Sequence, residues 1–218
     1  MSPRTADPAI RDALVDAAAR LVAERKPLTT RRLAAEVGTS TMSVYTHFGS
    51  MDEVRRAVRR DGFARLAAFL ERARKTGDPV ADLTELGWGY FLNAVQNPNL
   101  YRAMFMEGPV DASDVEVGLD TFQTLVDGVQ RCADAGRFTS EVDAWNLATQ
   151  LWASVHGVVA LHLAGMLTVE DVPSLIFTAA RNAFIAFGDD PDETNRSMKK
   201  AMRRIRNANG ELPEPLRI

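Results

Sequence analysis

The chain has 218 residues, of which 46% are hydrophobic and 25% are charged. That balance is typical of a globular protein with a sizeable core, and it excludes a disordered or collagen-like chain. The single cysteine, Cys132, excludes an intramolecular disulfide framework and the repeated Cys/His spacing of a zinc site. We therefore expect a reducing compartment, the cytoplasm. Since no apolar run of signal-peptide length follows the first residues, we expect no export signal.

The charge is distributed unevenly along the sequence. The net charge is −3, but residues 1–60 carry +4 and the remainder carries −7. A basic head on an acidic body suits a protein that brings one end to a polyanion such as nucleic acid.

Residues 144–169 carry no Asp, Glu, Lys or Arg and are long enough to cross a bilayer. Polar side chains spread around that segment, including Asn146, Gln150 and His156, favour a helix buried in protein, so we expect no membrane contact.

The N-terminal residues predict three helices in succession. Apolar side chains recur at three- and four-residue spacing over Ile10–Val22, so we expect a first helix over Pro8–Arg25, ended by Pro27. Thr29 or Thr30 then caps a short second helix. Gly38 ends it.

The residues after Gly38 predict a tight turn into a third helix. Ser40 follows two residues later, and its hydroxyl can cap the third helix. Two short helices joined by such a turn are typical of a helix-turn-helix. If Val44 and Phe48 point inward, the turn of about 100° per residue directs the intervening side chains outward, where a DNA major groove would lie. Those candidate base readers are Met42, Ser43, Tyr45 and Thr46. Arg31 and Arg32 start the second helix, where they can bind the phosphate backbone.

An ordered set of residues over this region carries a resemblance to a known family. The set is Ile10, Leu14, Ala17, Leu21, Thr29, Arg31, Leu33, Ala34, Val37, Gly38, Ser40, Val44, Tyr45, His47, Phe48, Ser50, Asp52, Glu53 and Val54. Through them, residues 10–58 closely resemble the DNA-binding domain of the tetracycline repressor (TetR) family. The resemblance implies that the third helix reads the major groove through Thr41, Met42, Ser43, Tyr45, Thr46 and His47. Gly49 and Met51 depart from the family, which often has lysine there.

The rest of the chain predicts further helices. We expect them near 52–75, 80–96, 98–106, 121–135, 142–165 and 169–187, with a charged tail over 191–218 that frays. The run Trp152–Gly157 resembles the Trp-His-Gly signature of one branch of TetR-family C-terminal domains. The fold class is therefore all-α. We divide the chain into a helix-turn-helix domain over 1–50, a ligand-binding and dimerisation domain over 51–190, and the tail.

Residues 142–165 also predict a dimer. This helix is apolar over too much of its circumference for the surface of a monomer, and a homodimer interface absorbs the excess. The resemblance implies that the helices near 142–165 and 169–187 pair with their copies as a four-helix bundle. Two symmetry-related reading helices then predict a palindromic DNA operator.

Two interpretations of the aromatic residues in the body stay open. They line an apolar cavity for a small-molecule effector, or they are plain core, which is commoner for any single aromatic. The predicted ligand contacts are Trp88, Phe91, Tyr101, Phe105, Phe122, Trp152 and His156, and Tyr90, Asn93, Met104, Met106 and Gln150 also qualify. Cys132 is interpreted as a small core residue, and Arg55, Arg56, Arg59 and Arg60 as a solvated face.

The function predicted is a DNA-binding transcription regulator, a repressor released from its operator by a small molecule. The sequence shows no nucleophile elbow, phosphate-binding glycine loop or metal-ligand cluster, so we expect no enzyme, no cofactor and no metal. A helical interaction scaffold explains the body equally well but leaves the basic head unexplained. An activator, or a regulator without a ligand, also stays open.

Overall fold

The computed structural model describes residues 7–106, 110–139 and 143–208, and these residues form helices and no strand. The helices are α1 (Pro8–Ala23), α2 (Thr30–Val37), α3 (Thr41–Phe48), α4 (Met51–Leu70), α5 (Pro79–Gln96), α6 (Pro98–Met106), α7 (Ala112–Asp134), α8 (Ala144–Leu163), α9 (Asp171–Ala186) and α10 (Pro191–Ala208). The all-α prediction is confirmed. Within the described ranges, no helix is both long and apolar enough to span a membrane.

The chain divides into two compact units. The first contains the described residues up to Ala67 together with Asn93–Asp120, and the second contains Ala68–Leu92 together with the described residues from Thr121 onward. Helices α4, α5 and α7 each contribute residues to both units. The predicted division of the sequence into domains stays a prediction.

The first unit is built on a core that α1 supplies with small and medium apolar side chains. Helix α1 packs against α2 and α6, and α2 packs against α3. Leu14 and Leu21 of α1, Leu33 of α2 and Val44 of α3 are at most 1% exposed. Removing such side chains from water stabilises the unit by about 1.5–3 kcal/mol each, so α2, α3 and α6 hold together with α1.

The ends of the short helices are set by local hydrogen bonds. The Thr29 hydroxyl accepts a hydrogen bond from the Arg32 N–H (3.3 Å), and the Ser40 hydroxyl accepts one from the Ser43 N–H (3.1 Å). Gly38 ends α2 with φ of +70°, a left-handed conformation that costs glycine little. The predicted helix end at Gly38 and the predicted cap at Ser40 are both confirmed.

The second unit is held by an ion-pair cluster at the start of α5. The carboxylate of Asp82 is almost fully buried and accepts hydrogen bonds from Arg131 of α7 (2.9 Å) and Arg204 of α10 (3.2 Å). The same Arg204 contacts Glu85 at 2.9 Å. Arg137 binds Asp189 through two parallel bonds of 2.6 and 2.8 Å, which adds directional strength. Helices α5, α7 and α10 therefore meet around paired charges.

The C-terminal helix corrects a prediction. Residues 191–218 were expected to form a fraying charged tail, but Pro191–Ala208 are helical, while residues 209–218 lie outside the described residues. One face of α10 is buried, with Thr194, Met198, Ala201 and Ile205 at three- and four-residue spacing. That spacing was visible in the sequence and was masked by the high charge of the opposite face. Helix α7 also begins at Ala112, nine residues before its predicted start.

The arginines of α4 correct a second prediction. Arg59 was interpreted as part of a solvated face, but it is 8% exposed and donates a hydrogen bond to the Met104 carbonyl. Its guanidinium also lies 5.4 Å from the centre of the Phe63 ring. Arg59 therefore links α4 to α6, because its guanidinium donates to the Met104 carbonyl of α6 while it packs on the Phe63 ring.

Replacing Asp82 by asparagine tests the ion-pair cluster. Burial alone raises the pKa of Asp82, but hydrogen bonds from the Thr76 N–H and Arg131 outweigh it and hold the pKa below 3.8. Because the pKa of Asp82 is lower in the folded than in the unfolded state, its ionised carboxylate stabilises the fold above about pH 4. This stabilisation is lost as the pH falls through the folded-state pKa. We expect Asp82→Asn to lower the free energy of unfolding at pH 7 by about 1–3 kcal/mol and to weaken its dependence on acid pH.

Chemical denaturation from pH 3 to pH 7 measures both effects. Asp134→Asn is the matched control, since Asp134 is exposed on α7 and accepts a hydrogen bond only from Gln130 of its own helix among the described residues. It should change stability by less than about 0.5 kcal/mol. Equal effects of the two variants would show that the cluster does not stabilise the second unit.

Candidate nucleic-acid interface and ligand site

Helix α3 turns one apolar side chain inward and its other side chains outward. Val44 is 1% exposed, whereas Met42 is 70% and Tyr45 is 51% exposed. Thr41 and Thr46 are also exposed, and Ser43 and His47 are half-buried. All six side chains that were predicted to read DNA thus lie outside the core of the first unit.

The outward face of α3 carries hydrogen-bonding groups and no acid. The Thr46 hydroxyl donates to the Met42 carbonyl of its own helix at 2.9 Å, and its oxygen can still accept a hydrogen bond. Tyr45 offers a phenol and Met42 a flexible apolar side chain. These groups match thymine methyls, base edges and phosphate oxygens, which are the features that a major groove displays.

Two arginines at the start of α2 remain without a counter-charge. Arg31 and Arg32 are exposed and form no ion pair among the described residues. They line an open depression with Pro27, Thr29 and Glu36, and the carboxylate of Glu36 is neutralised by Arg20 at 2.8 Å. An uncompensated pair of cations beside exposed side chains is the arrangement that binds a phosphate backbone.

The arginines of α4 behave differently. Arg55 pairs with Asp52 (3.4 Å), and Arg56 pairs with both Glu53 and Asp111 (2.5 Å each). Their charges are already compensated within the first unit. Among the described arginines considered for the interface, Arg31 and Arg32 of α2 are therefore the ones without an ion pair, whereas Arg55 and Arg56 are paired.

The predicted ligand contacts form three separate groups of neighbours. In the first unit, the ring centres of Tyr101 and Phe105 lie 4.9 Å apart, and Tyr101 is fully buried. In the second unit, Trp88 of α5 lies 5.1 Å from Phe91 and stacks on Phe177 of α9 at 5.9 Å. Trp88 is 4% exposed, and its indole N–H is buried without a hydrogen-bond partner in the described part of the chain.

The third group surrounds a short hydrogen-bond chain in the second unit. The indole N–H of Trp152 donates to the Tyr90 hydroxyl (3.1 Å), which lies 2.9 Å from Nδ1 of His156. An indole nitrogen can only donate, so the tyrosine oxygen accepts that bond and remains able to donate its own hydrogen to Nδ1 of a neutral His156. Burial lowers the pKa of His156 below 6.5, consistent with a neutral ring that accepts this bond. Phe122 packs edge-on against Trp152 at 5.9 Å.

Sequence reasoning missed two aromatic partners of these groups. Phe177 stacks on Trp88, and Trp145 packs edge-on against Phe122 at 4.8 Å. Each aromatic lies on a helix remote in sequence from its partner, so no local spacing pointed to the pair. Cys132, by contrast, is fully buried as predicted, and burial raises the pKa of its thiol to about 12.

Comparison with known proteins places both parts of the chain. Residues 14–58 match the family model of bacterial regulatory proteins of the tetR family, and residues 83–184 match that of the tetracyclin repressor-like C-terminal domain. The chain belongs to the TetR family. It is therefore a transcriptional regulator of the helix-turn-helix type, and the prediction that it is not an enzyme is confirmed, because members of this family are non-enzymatic DNA-binding regulators.

Individual relatives of this TetR-family regulator are distant. An uncharacterised HTH-type transcriptional regulator of Mycobacterium tuberculosis is 27% identical over 154 residues, covering 69% of this chain and 67% of that protein. A protein of unknown function from Rhodococcus sp. RHA1 has 25% identity and a TM-score of 0.71, covering 87% of this chain and all of that one. The SmeT chain of a SmeT–triclosan complex has 22% identity and a TM-score of 0.65, covering 84% and 93%. The last likeness shows the fold alone.

Substitutions on α3 distinguish residues needed for DNA binding from residues needed for stability. We expect Tyr45→Ala and Thr46→Ala each to weaken specific DNA binding by about 5- to 150-fold and to leave the melting temperature nearly unchanged, because both side chains are exposed. Val44→Ala is the contrasting variant. It should lower stability by about 1–3 kcal/mol, because its side chain is buried. Gel-shift titration and thermal melting measure the two quantities. Loss of folding in parallel with binding for Tyr45→Ala would contradict the outward assignment.

Proposed function

We propose that this TetR-family regulator represses transcription by binding a palindromic operator as a homodimer. Arg31 and Arg32 bind backbone phosphates, and the side chains of α3 read the bases. Those α3 residues are Thr41, Met42, Ser43, Tyr45, Thr46 and His47. The observation that carries the proposal is the outward face of α3, which exposes Met42 and Tyr45 beside uncompensated cations on α2. A helix displayed in this way fits the width of a major groove.

The dimer is proposed to form through α8 and α9, the structural counterparts of the segments near 142–165 and 169–187. These two helices pack against each other in the second unit. Large apolar side chains remain exposed on them and on the turn between them, namely Trp145, Leu161, Met166 and Leu175. Burying this surface against a second copy supplies the apolar contact area that a permanent dimer needs.

A small-molecule effector is proposed to release the operator. The proposed contacts in the second unit are Trp88, Phe91, Phe122, Trp152 and His156, and those in the first unit are Tyr101 and Phe105. Support comes from the unpartnered buried N–H of Trp88 and from the Tyr90–His156 hydrogen bond, which are polar groups set among aromatic rings. The triclosan complex of the structurally similar SmeT supports a small organic ligand for this fold. A Trp-His-Gly type of C-terminal domain and a location in the cytoplasm belong to the same proposal.

The dependence of DNA binding on salt tests the proposed role of α2. Operator DNA is first selected from a pool of random duplexes with the wild-type protein. Each phosphate contact adds about −0.9 to the slope of log K against log salt. We expect Arg31→Ala and Arg32→Ala each to make that slope shallower by about one unit.

Arg60→Ala is the matched control for this experiment. Arg60 is an exposed arginine of the same unit, but its charge is paired with Glu53 at 3.1 Å, so the slope should not change. A scaffold protein would select no duplex sequence at all. If a DNA sequence is selected but neither arginine substitution changes the salt slope, the phosphate contacts do not involve Arg31 and Arg32.

A further inference from the structure

The exposed face of α10 carries cations that form no ion pair with another helix among the described residues. Arg196, Lys199 and Arg203 are exposed and lie at three- and four-residue spacing, on the side opposite to the buried face. Lys199 and Arg203 form no ion pair among the described residues, and Arg196 contacts only Glu193 of its own helix at 3.4 Å. We call these three residues the basic stripe. Helix α10 lies outside the residues matched by either family model.

The exposed face of α7 carries acids in the complementary pattern. Asp127 and Asp134 are exposed and seven residues apart. Within the described ranges neither forms an ion pair. They accept hydrogen bonds only from the uncharged amides of Gln123 and Gln130 (2.8 Å each). We call Asp127 and Asp134 the acidic stripe.

The spacing of the two stripes matches. Residues seven apart on a helix lie about 10.5 Å apart along its axis and within about 20° of the same direction. Arg196 and Arg203 have this separation, and so do Asp127 and Asp134. Two cations of one helix can therefore lie opposite two acids of another at the same time, with Lys199 between them.

The charges on the inner sides of α7 and α10 are already paired. Arg131 of α7 and Arg204 of α10 both contact Asp82, so the two helices meet around one carboxylate. The structure thus compensates the inward charges and leaves Lys199, Arg203, Asp127 and Asp134 without an ion pair among the described residues. These outward charges are available to another molecule.

We propose that the acidic stripe of one copy binds the basic stripe of another, producing an electrostatic association between copies that is separate from the dimer through α8 and α9. A second copy is favoured over nucleic acid because residues 61–218 carry a net −7, which repels a polyanion. Exposed ion pairs are individually weak, so the association is weak and reversible and grows when copies are concentrated, as on neighbouring DNA sites.

Light scattering of the full chain at several protein concentrations tests the proposal without DNA. Molecules of net charge −3 repel one another at low salt unless complementary patches attract. At an ionic strength of about 0.01 M, where the Debye length is about 30 Å, we expect the average mass to rise with protein concentration. At about 1 M, where the Debye length is about 3 Å, that rise should disappear and leave the mass of the dimer.

Charge reversal identifies the surfaces. The triple variant R196E/K199E/R203E and the double variant D127K/D134K should each lose the rise in mass at low salt, and an equimolar mixture of the two should regain it. Lys199→Glu alone should weaken the association about five-fold. Lys75→Glu, an equal charge change at an exposed lysine outside the stripes, should leave it unchanged. Circular dichroism checks that each variant keeps its helices.

Three outcomes overturn the proposal. The first is an average mass at low salt that does not depend on concentration. The second is an association that both charge-reversal variants retain, or a mixture that fails to restore it although both variants are folded. The third is a basic-stripe variant that keeps self-association but loses binding to a non-specific duplex, which would assign α10 to nucleic acid. None of these outcomes bears on operator reading by α3, so the two proposals fail independently.

Discussion

The burial of Val44 is the contact on which the reading head depends. Helix α3 has only eight residues, too few to be stable in water without tertiary contacts. Its one buried side chain joins a core that includes Leu14 of α1 and Leu33 of α2. This contact fixes the rotation of α3 about its axis, and the rotation decides which side chains are displayed. Met42 and Tyr45 are exposed because Val44, between them, is not.

The caps around α3 make that orientation specific. Gly38 reverses the chain in a left-handed conformation, and the Ser40 hydroxyl starts α3 two residues later. A side chain at Gly38 would have room but would be strained by the positive φ. The turn and the core together set the angle between α2 and α3. The exposed arginines of α2 and the exposed side chains of α3 are therefore placed by the same few residues.

The sequence predicted the first unit better than the second. Capping residues and apolar spacing act over three or four positions, so Thr29, Gly38 and Ser40 could be interpreted directly. Arg59 could not, because the Met104 carbonyl that it binds becomes a neighbour only when α4 and α6 pack. In the second unit the partners are more remote still, as in the contact between Arg204 and Asp82. A charged helix such as α10 looks like a solvated tail until its buried face and its counter-ions are known.

The candidate sites also divide into residues that the sequence predicted and contacts that it did not. The DNA-reading residues follow from the rotation of one helix, which a local pattern encodes. The aromatic residues of the body come from helices that are far apart in the sequence, with about ninety positions between Trp88 and Phe177. They form three groups that the spacing of residues in the sequence did not predict. The hydrogen-bond chain from Trp152 through Tyr90 to His156 links α5 with α8 and depends on tertiary packing. Interactions within one helix or turn can be predicted from the sequence, whereas contacts between side chains of different helices become known only from the fold.

Cysteine scanning of α3 tests the display of its outward face most directly. The native Cys132 is fully buried with a raised pKa, so it gives a low background of thiol modification. Cysteines placed singly at positions 42, 44 and 45 are modified with and without selected operator DNA. The account predicts rapid modification at 42 and 45 that DNA suppresses, and slow modification at 44 in folded protein under both conditions. Rapid modification at 44, or modification at 42 and 45 that DNA leaves unchanged, would contradict it.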